Sequence, residues 1–201
     1  MDLPPGQIVT KVWPLYTALG TADVKPNEVK ISVYGAVENK LEFNWDELMK
    51  LPKVKKVLDF HCVTRWSRIG DEWEGVSLKS ILNKAKPDGS YIMFHCYEGY
   101  TTNLPINYID ENSMLAYNFN GKPLEKNHGG PLRAFIPSLY GWKSAKWIHS
   151  IEVMKEDTPG FWEERGYNMR GDYTKEERYL EGVSFVDKVS AILNFKKENK
   201  E

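Results

Sequence analysis

The sequence predicts an α+β domain, with mixed β-sheets carrying a few short helices. Runs with two-residue alternation and runs with helical spacing are interspersed without regular β-α alternation, which argues against a doubly wound sheet. The 201 residues contain no internal repeat, no low-complexity segment and no boundary between domains. A single domain with one sizeable core is therefore expected.

Taken in order, residues 1–27 are rich in Pro and Gly and show no periodicity. They read as an extended arm lying over the domain. Val29–Val37 alternates around Ile31 and Val33, with a break at Gly35, and Leu41-Glu42-Phe43 follows. That pattern predicts a hairpin turning at Glu38-Asn39-Lys40. Asn44, with Glu47 three positions on, matches a capping box for a short helix to Lys50, which Pro52 ends.

Val54–Phe60 reads as a strand leading to Cys62, followed by a polar loop to Gly75. Ser77 is placed to cap a helix whose apolar positions Leu78, Ile81, Leu82 and Ala85 keep helical spacing. Pro87-Asp88-Gly89 is a turn and Tyr91–His95 a strand. A short helix around Tyr108–Met114, a strand at Leu115–Phe119 and a turn at Asn120-Gly121 follow. Leu132–Ile136 and Lys146–Met154 read as core strands. Residues 155–201 form a tail, irregular and aromatic at first, then charged and helical near Thr174–Tyr179.

Lys+Arg 27 against Asp+Glu 28 leaves a net charge of −1, and basic runs such as Lys53-Val54-Lys55-Lys56 read as solvated faces. Nucleic acid is not an expected partner. The first residues carry neither a basic nor an apolar signal region, and no apolar run reaches the length of a membrane span. With two cysteines there is no disulfide scaffold. A soluble cytoplasmic protein without a membrane span is the simplest expectation.

Two constellations carry chemistry. Cys62 lies in Asp59-Phe60-His61-Cys62-Val63-Thr64-Arg65-Trp66-Ser67, where a strand gives way to polar and aromatic residues. Nearby positive charge favours a thiolate, and free cysteines also serve as small buried hydrophobes. The dipeptide His-Cys recurs at His95-Cys96, so a zinc-stabilised structural domain is a rival reading. Neither pair has the usual zinc-knuckle spacing, and adjacent strand side chains point to opposite faces. The second constellation is His128-Gly129-Gly130-Pro131-Leu132-Arg133 with Tyr140-Gly141-Trp142-Lys143-Ser144-Ala145-Lys146-Trp147. Its glycines permit close backbone approach, and its cations and hydroxyl suit an anionic, flat ligand between aromatic walls. A Gly-rich turn with solvated cations is the alternative.

The cysteine segment, together with Trp73-Glu74-Gly75-Val76-Ser77-Leu78, resembles that of the sulfite oxidase family of molybdopterin enzymes. Gly99–Pro105 and Leu115–Leu124 resemble the middle of that family, and the two glycine-bearing segments its pterin-binding end. Phe161-Trp162-Glu163-Glu164-Arg165-Gly166-Tyr167 resembles a closing segment of its small prokaryotic members. The resemblance implies a molybdenum held by one molybdopterin, with Cys62 as the thiolate ligand. It also implies that His128, Arg133 and the Lys143-Ser144-Ala145-Lys146 run bind the cofactor, with Arg133 and Lys146 at its phosphate. By the same match, His95 or Cys96 approaches the pterin, although Cys96 in its apolar run also reads as a buried thiol. Arg65, Trp66 and Tyr140 are candidates for the substrate mouth, and part of the arm around Trp13–Tyr16 is expected to cover the cofactor.

The expected activity is oxygen-atom transfer at mononuclear molybdenum, with sulfite, a sulfoxide or an N-oxide as the small oxo-donor or oxo-acceptor. A separate electron-transfer partner, such as a cytochrome or haem subunit, is expected, since no haem-attachment motif is present. A non-catalytic molybdopterin carrier or scaffold is the remaining alternative.

Overall fold

The alternation around Ile31 and Val33 forms a strand whose inward residues are completely buried. The structure, a computed structural model, describes residues 3–182. This strand, β2 (Lys30–Gly35), lies in a five-stranded sheet in the order β3 (Leu41–Asn44), β2, β11 (Ile148–Met154), β6 (Tyr91–Cys96) and β7 (Thr101–Pro105). β2 and β11 run parallel, and the other neighbours are antiparallel. A second sheet follows the path β1 (Ile8–Val9), β5 (Trp66–Ser77), β8 (Met114–Phe119) and β10 (Arg133–Phe135). On it, β4 (Lys53–His61) pairs with β5 and β9 (Lys122–Pro123) pairs with β8.

One large apolar cluster joins Ile31, Val33, Ile92, Phe94, Ile151 and Val153 of the five-stranded sheet to Leu115 and Ala134 of the other. Truncating one of its isoleucines to Ala is worth about 2–5 kcal/mol. A smaller aromatic cluster, with Trp73, Phe60 and Phe135, sits within the second sheet. Trp73 and Phe135 stack at 3.9 Å.

Both predicted helix caps form. Asn44 Oδ1 accepts from Glu47 N at 3.0 Å while Asn44 N donates to Glu47 Oε2 at 2.8 Å, opening the short α1 (Trp45–Leu48). Ser77 Oγ accepts from Ser80 N at 3.1 Å and opens α2 (Leu78–Ala85), which buries Leu78, Ile81, Leu82 and Ala85. With α1 and α2 the only α-helices among the described residues, the α+β architecture of mixed sheets and short helices holds.

Three local expectations are corrected. The stretch from Trp66 to Gly75 is not a loop but most of a twelve-residue strand, antiparallel to β4. Its polar residues are paired within the sheet: Arg68 grips Asp71 at 2.6 and 2.8 Å. Thr101–Pro105, for which the sequence sets no expectation, is a further strand, β7. No α-helix spans Tyr108–Met114, because the Asp110 side chain accepts from Asn112 N and Ser113 Oγ, both at 2.9 Å. Such local bonds compete with a helix. Near the end, Tyr173–Lys175 is a single 3-10 turn, stopped by Glu176 at φ 53°, and Tyr179 bridges back to Tyr167. The rest of the expected helical tail lies outside the described residues.

The arm is extended, as expected. β1 runs parallel to the start of β5, and Thr10 N donates to Ser67 O at 2.9 Å. No helix among the described residues is long and apolar enough to cross a membrane.

Candidate active site

Cys62 stands at the tip of the β4–β5 hairpin. Cys62 N donates to Trp66 O at 2.9 Å and Arg65 N to Cys62 O at 3.1 Å, closing the turn. Arg65 takes the left-handed position at φ 70°, where Gly or Asn is usual. The half-buried Cys62 Sγ lies 3.1 Å from Thr64 Oγ1. Burial pushes the thiol pKa up, opposed first by the Thr64 hydroxyl and more weakly by Arg178. Arg178 comes from the tail, with Nη1 donating to Val63 O at 2.8 Å and Nη2 to Pro5 O at 3.1 Å. The expected cationic stabilisation by the loop's own arginine is therefore corrected. The Arg65 guanidinium is exposed beside Gly6 and does not line the cleft.

The tip opens into a cleft of about 310 Å3. The second constellation forms its opposite wall, and Arg133 ties that constellation's two segments together. Its Nη1 donates to His128 O at 2.8 Å and its Nη2 to Ser144 O at 2.5 Å. Ser144 Oγ accepts from Ile136 N at 3.0 Å, and Ala145 O accepts from Ala134 N at 2.8 Å. The glycines serve this wall rather than a ligand. A Cβ on Gly130 would stand 2.0 Å from Leu124 O, and Gly129 has φ 104°.

The arm covers the cleft. Trp13 stacks on the His128 ring at 4.0 Å with the planes 13° apart, and Lys146 Nζ donates to Tyr16 O at 2.8 Å and to Asn127 O at 3.2 Å. Burial, aided by Arg133 and Lys146, pulls the His128 pKa down to about 4, leaving a neutral imidazole near pH 7. Burial, with Arg133 close by, lowers Lys146 to about 8.

Of the residues singled out from sequence, Cys62, Trp66, His128, Arg133, Ser144, Ala145 and Lys146 all line this cleft. The others do not. His95 is on the outer face of the five-stranded sheet, with Nε2 2.9 Å from Glu152 Oε2. Cys96, one residue on and so on the opposite face, is sealed in the core, and burial drives its thiol pKa well up. Tyr140 is fully buried, stacked on Trp142 at 5.6 Å. Lys143 turns away from the cleft. Its ammonium is 2.6 Å from Glu163 Oε1 and donates to Asn103 O at 2.5 Å and Met169 O at 2.7 Å. Trp142 Nε1 donates to the same Glu163 oxygen at 2.8 Å, so this pair fixes the back of an aromatic wall.

Trp13, from the arm stretch expected to cover the cofactor, also lines the cleft, as do Glu98, Trp162 and Tyr167, to which the sequence assigned no role. Trp162 and Tyr167 stack at 5.0 Å, and Tyr167 meets Trp142 edge-on at 5.1 Å. The aromatic richness of 158–167 was the available signal. Two buried polar atoms on the cleft wall have no hydrogen-bond partner among the described residues, Trp66 Nε1 and Glu98 Oε2. Buried polar groups are normally satisfied. A slot with aromatic walls, one soft sulfur, an unused donor and an unused acceptor fits a flat polar heterocycle bearing a soft metal centre.

The sequence matches the oxidoreductase molybdopterin-binding domain family over residues 18–162. The chain belongs to that family. With membership come an oxidoreductase role and a molybdenum-carrying molybdopterin as cofactor. An uncharacterized oxidoreductase of Bacillus subtilis, YuiH, is 42% identical over 184 residues, covering 88% of this chain and 91% of that protein. A putative protein-methionine-sulfoxide reductase subunit of Azospira oryzae, YedZ1, is 30% identical over 83% of this chain and 66% of its own length. Mitochondrial sulfite oxidase of Rattus norvegicus is 24% identical over 82% of this chain, but the match spans only 37% of that protein. Among solved structures, the sulfane dehydrogenase SoxCD of Paracoccus pantotrophus shares the fold at TM-score 0.61 and 22% identity, over 68% of this chain and 41% of that one.

The rival zinc reading finds no support in the geometry. Cys62 and Cys96 belong to different clusters, and no three potential ligands converge among the described residues.

Proposed function

We propose that this protein transfers an oxygen atom to or from a small substrate at a mononuclear molybdenum, with Cys62 as the protein's ligand to the metal. The observation that carries the reading is the placement of one thiol. Of the two cysteines, Cys62 alone opens into the cleft that His128, Arg133 and Ser144–Lys146 build. When bound, the molybdenum centre supplies a two-electron couple linked to the movement of one oxygen atom.

The residues around it prepare that chemistry. Thr64 Oγ1 orients the Cys62 sulfur, whose proton burial retains and which would hold the metal as a thiolate. Arg133 and Lys146 give the wall a positive field for the anionic part of the cofactor, while His128, neutral at pH 7, offers a hydrogen bond without repelling them. Trp13 closes the slot from the arm side and keeps water out.

Trp142, Trp162 and Tyr167, which pack in the cluster that Cys62 adjoins, favour a substrate with an apolar body. A sulfoxide or N-oxide suits such a surface better than sulfite does. The names of the curated relatives include both methionine-sulfoxide reductases and sulfite oxidases. Electrons pass singly to a separate partner, such as a cytochrome or haem subunit, and the two free cysteines suit a cytoplasmic setting.

The test is molybdenum and pterin analysis of wild type beside Cys62→Ser, with electron paramagnetic resonance of the half-reduced centre. About one molybdenum per chain and an altered spectrum in the variant are expected. An unchanged spectrum refutes Cys62 as ligand. Molybdenum without turnover of sulfite, sulfoxides or N-oxides points to a carrier instead.

A further inference from the structure

The main chain that carries Cys62 is held by both ends of the described chain. From the arm, Gln7 Nε2 donates to Cys62 O at 3.0 Å. From the tail, Arg178 Nη1 donates to Val63 O at 2.8 Å and Nη2 to Pro5 O at 3.1 Å, so one guanidinium ties the hairpin tip to the arm. Arg178 is buried, and its guanidinium lies 4.6 Å from the centre of the Tyr140 ring.

Each of these three side chains keeps one buried polar atom without a hydrogen-bond partner among the described residues: Gln7 Oε1, Arg178 Nε and the Tyr140 hydroxyl. Burial pushes the Tyr140 pKa up to about 12, opposed by Arg178 and by the Gln7 side chain, so both stand close to the phenol. None of the three lines the cleft. Buried polar groups are normally satisfied, and here three orphaned atoms share one corner. Their chemistry is mixed. Gln7 Oε1 only accepts, Arg178 Nε only donates, and the hydroxyl does either. A cation would be repelled by the guanidinium, and an anion would face the Gln7 oxygen. A neutral molecule that both donates and accepts through one oxygen suits all three, and buried waters typically make about three such bonds.

We propose that one buried water joins Gln7, Tyr140 and Arg178 into a clasp, through which Arg178 positions the Cys62 thiol. The water accepts from Arg178 Nε and donates to Gln7 Oε1, and the Tyr140 hydroxyl completes its shell. The clasp fixes the carbonyls of Cys62 and Val63, and with them the direction of the Cys62 side chain. Its use to a metal rests on the reading of Cys62 as ligand, whereas the clasp itself does not.

The test is alkylation of cofactor-free protein by iodoacetamide, read at each cysteine by mass spectrometry. Cys96, sealed in the core, reports global opening and serves as the internal reference. The variants preserve charge, so the thiol keeps its electrostatic surroundings. Tyr140→Phe retains the ring and should speed Cys62 labelling about threefold or more, and Arg178→Lys about tenfold or more, with Cys96 labelling unchanged. Combining Tyr140→Phe with Gln7→Leu should give less than the product of the two single effects, since both remove the same water. Diffraction from wild-type crystals should place one water within hydrogen-bond distance of all three atoms. Unchanged Cys62 labelling in Tyr140→Phe or Arg178→Lys, equal acceleration at both cysteines, or no water shared by the three atoms overturns the clasp. Molybdenum-loaded protein whose Cys62 is labelled as fast as in cofactor-free protein overturns the ligand reading instead.

Discussion

The dipeptide His-Cys occurs twice, each time where a strand of one sheet ends, and the two copies are set in opposite phase. At the end of β4, His61 is buried, with Nδ1 2.8 Å from Ser67 Oγ, and Cys62 emerges at a hairpin tip into the cleft. At the end of β6, His95 faces outward to Glu152 and Cys96 is locked in the core. The two lysines of the Gly141–Trp147 segment divide in the same way. Lys143 is committed to the interior through Glu163, whereas Lys146 lines the cleft. For the cysteines, identical chemistry is made structural or functional by which member of the pair faces inward; for the lysines, by the turn that lies between them.

The largest expected effect falls on the interior member of the lysine pair. Lys143→Met leaves the Glu163 carboxylate buried and uncompensated, a loss of about 3–5 kcal/mol. The further change Glu163→Leu should restore much of it, as read by chemical denaturation. Lys146→Met, by contrast, should cost about 1 kcal/mol and lower pterin content. A reversed order would break the comparison.

Next come the cysteines. Cys62→Ser should reduce molybdenum content and turnover about 100-fold or more, with little change in the melting temperature of cofactor-free protein. Cys96→Ser should leave molybdenum per folded chain intact but cost about 1–3 kcal/mol through a hydroxyl placed in the core. At about 2–4 °C per kcal/mol for a chain of this size, differential scanning calorimetry resolves that loss. Metal loss in Cys96→Ser would invert the two roles.

The smallest effect is acid sensitivity at His128. Its folded pKa of about 4 lies below the ordinary histidine value of 6.5, so unfolding takes up a proton between those two values. Its contribution is present above pH 6.5 and is lost as pH falls toward 4. His128→Asn should flatten the decline of melting temperature across that window. An unchanged slope would place the imidazole in a more solvated setting than the Trp13 stack implies.

The core of the fold was legible where one rule dominated. Ile31 and Val33 declared a strand by alternation, and Ser77 with Leu78, Ile81 and Leu82 declared a capped helix. The hairpin holding Cys62 was not legible as a hairpin. Its left-handed turn residue is Arg65, and its second strand carries Arg68, Asp71, Glu72 and Glu74 in place of an apolar face. Of the site, the Cys62 tip and the wall of His128, Arg133 and Ser144–Lys146 could be seen from motifs. Lys143 could not be separated from Lys146, because proximity in sequence does not say that a partner as distant as Glu163 waits inside.

The contacts that finish the cleft join residues far apart along the chain. Arg178 reaches Pro5 across 173 positions and Val63 across 115, and Lys146 reaches Tyr16 across 130. Closing such long loops costs chain entropy, which the packing of the whole domain offsets. The slot between arm and hairpin tip is thus completed by both ends of the described chain. A change at Tyr16 or Arg178, far along the chain in either direction, therefore acts on the same cleft as a change at Cys62.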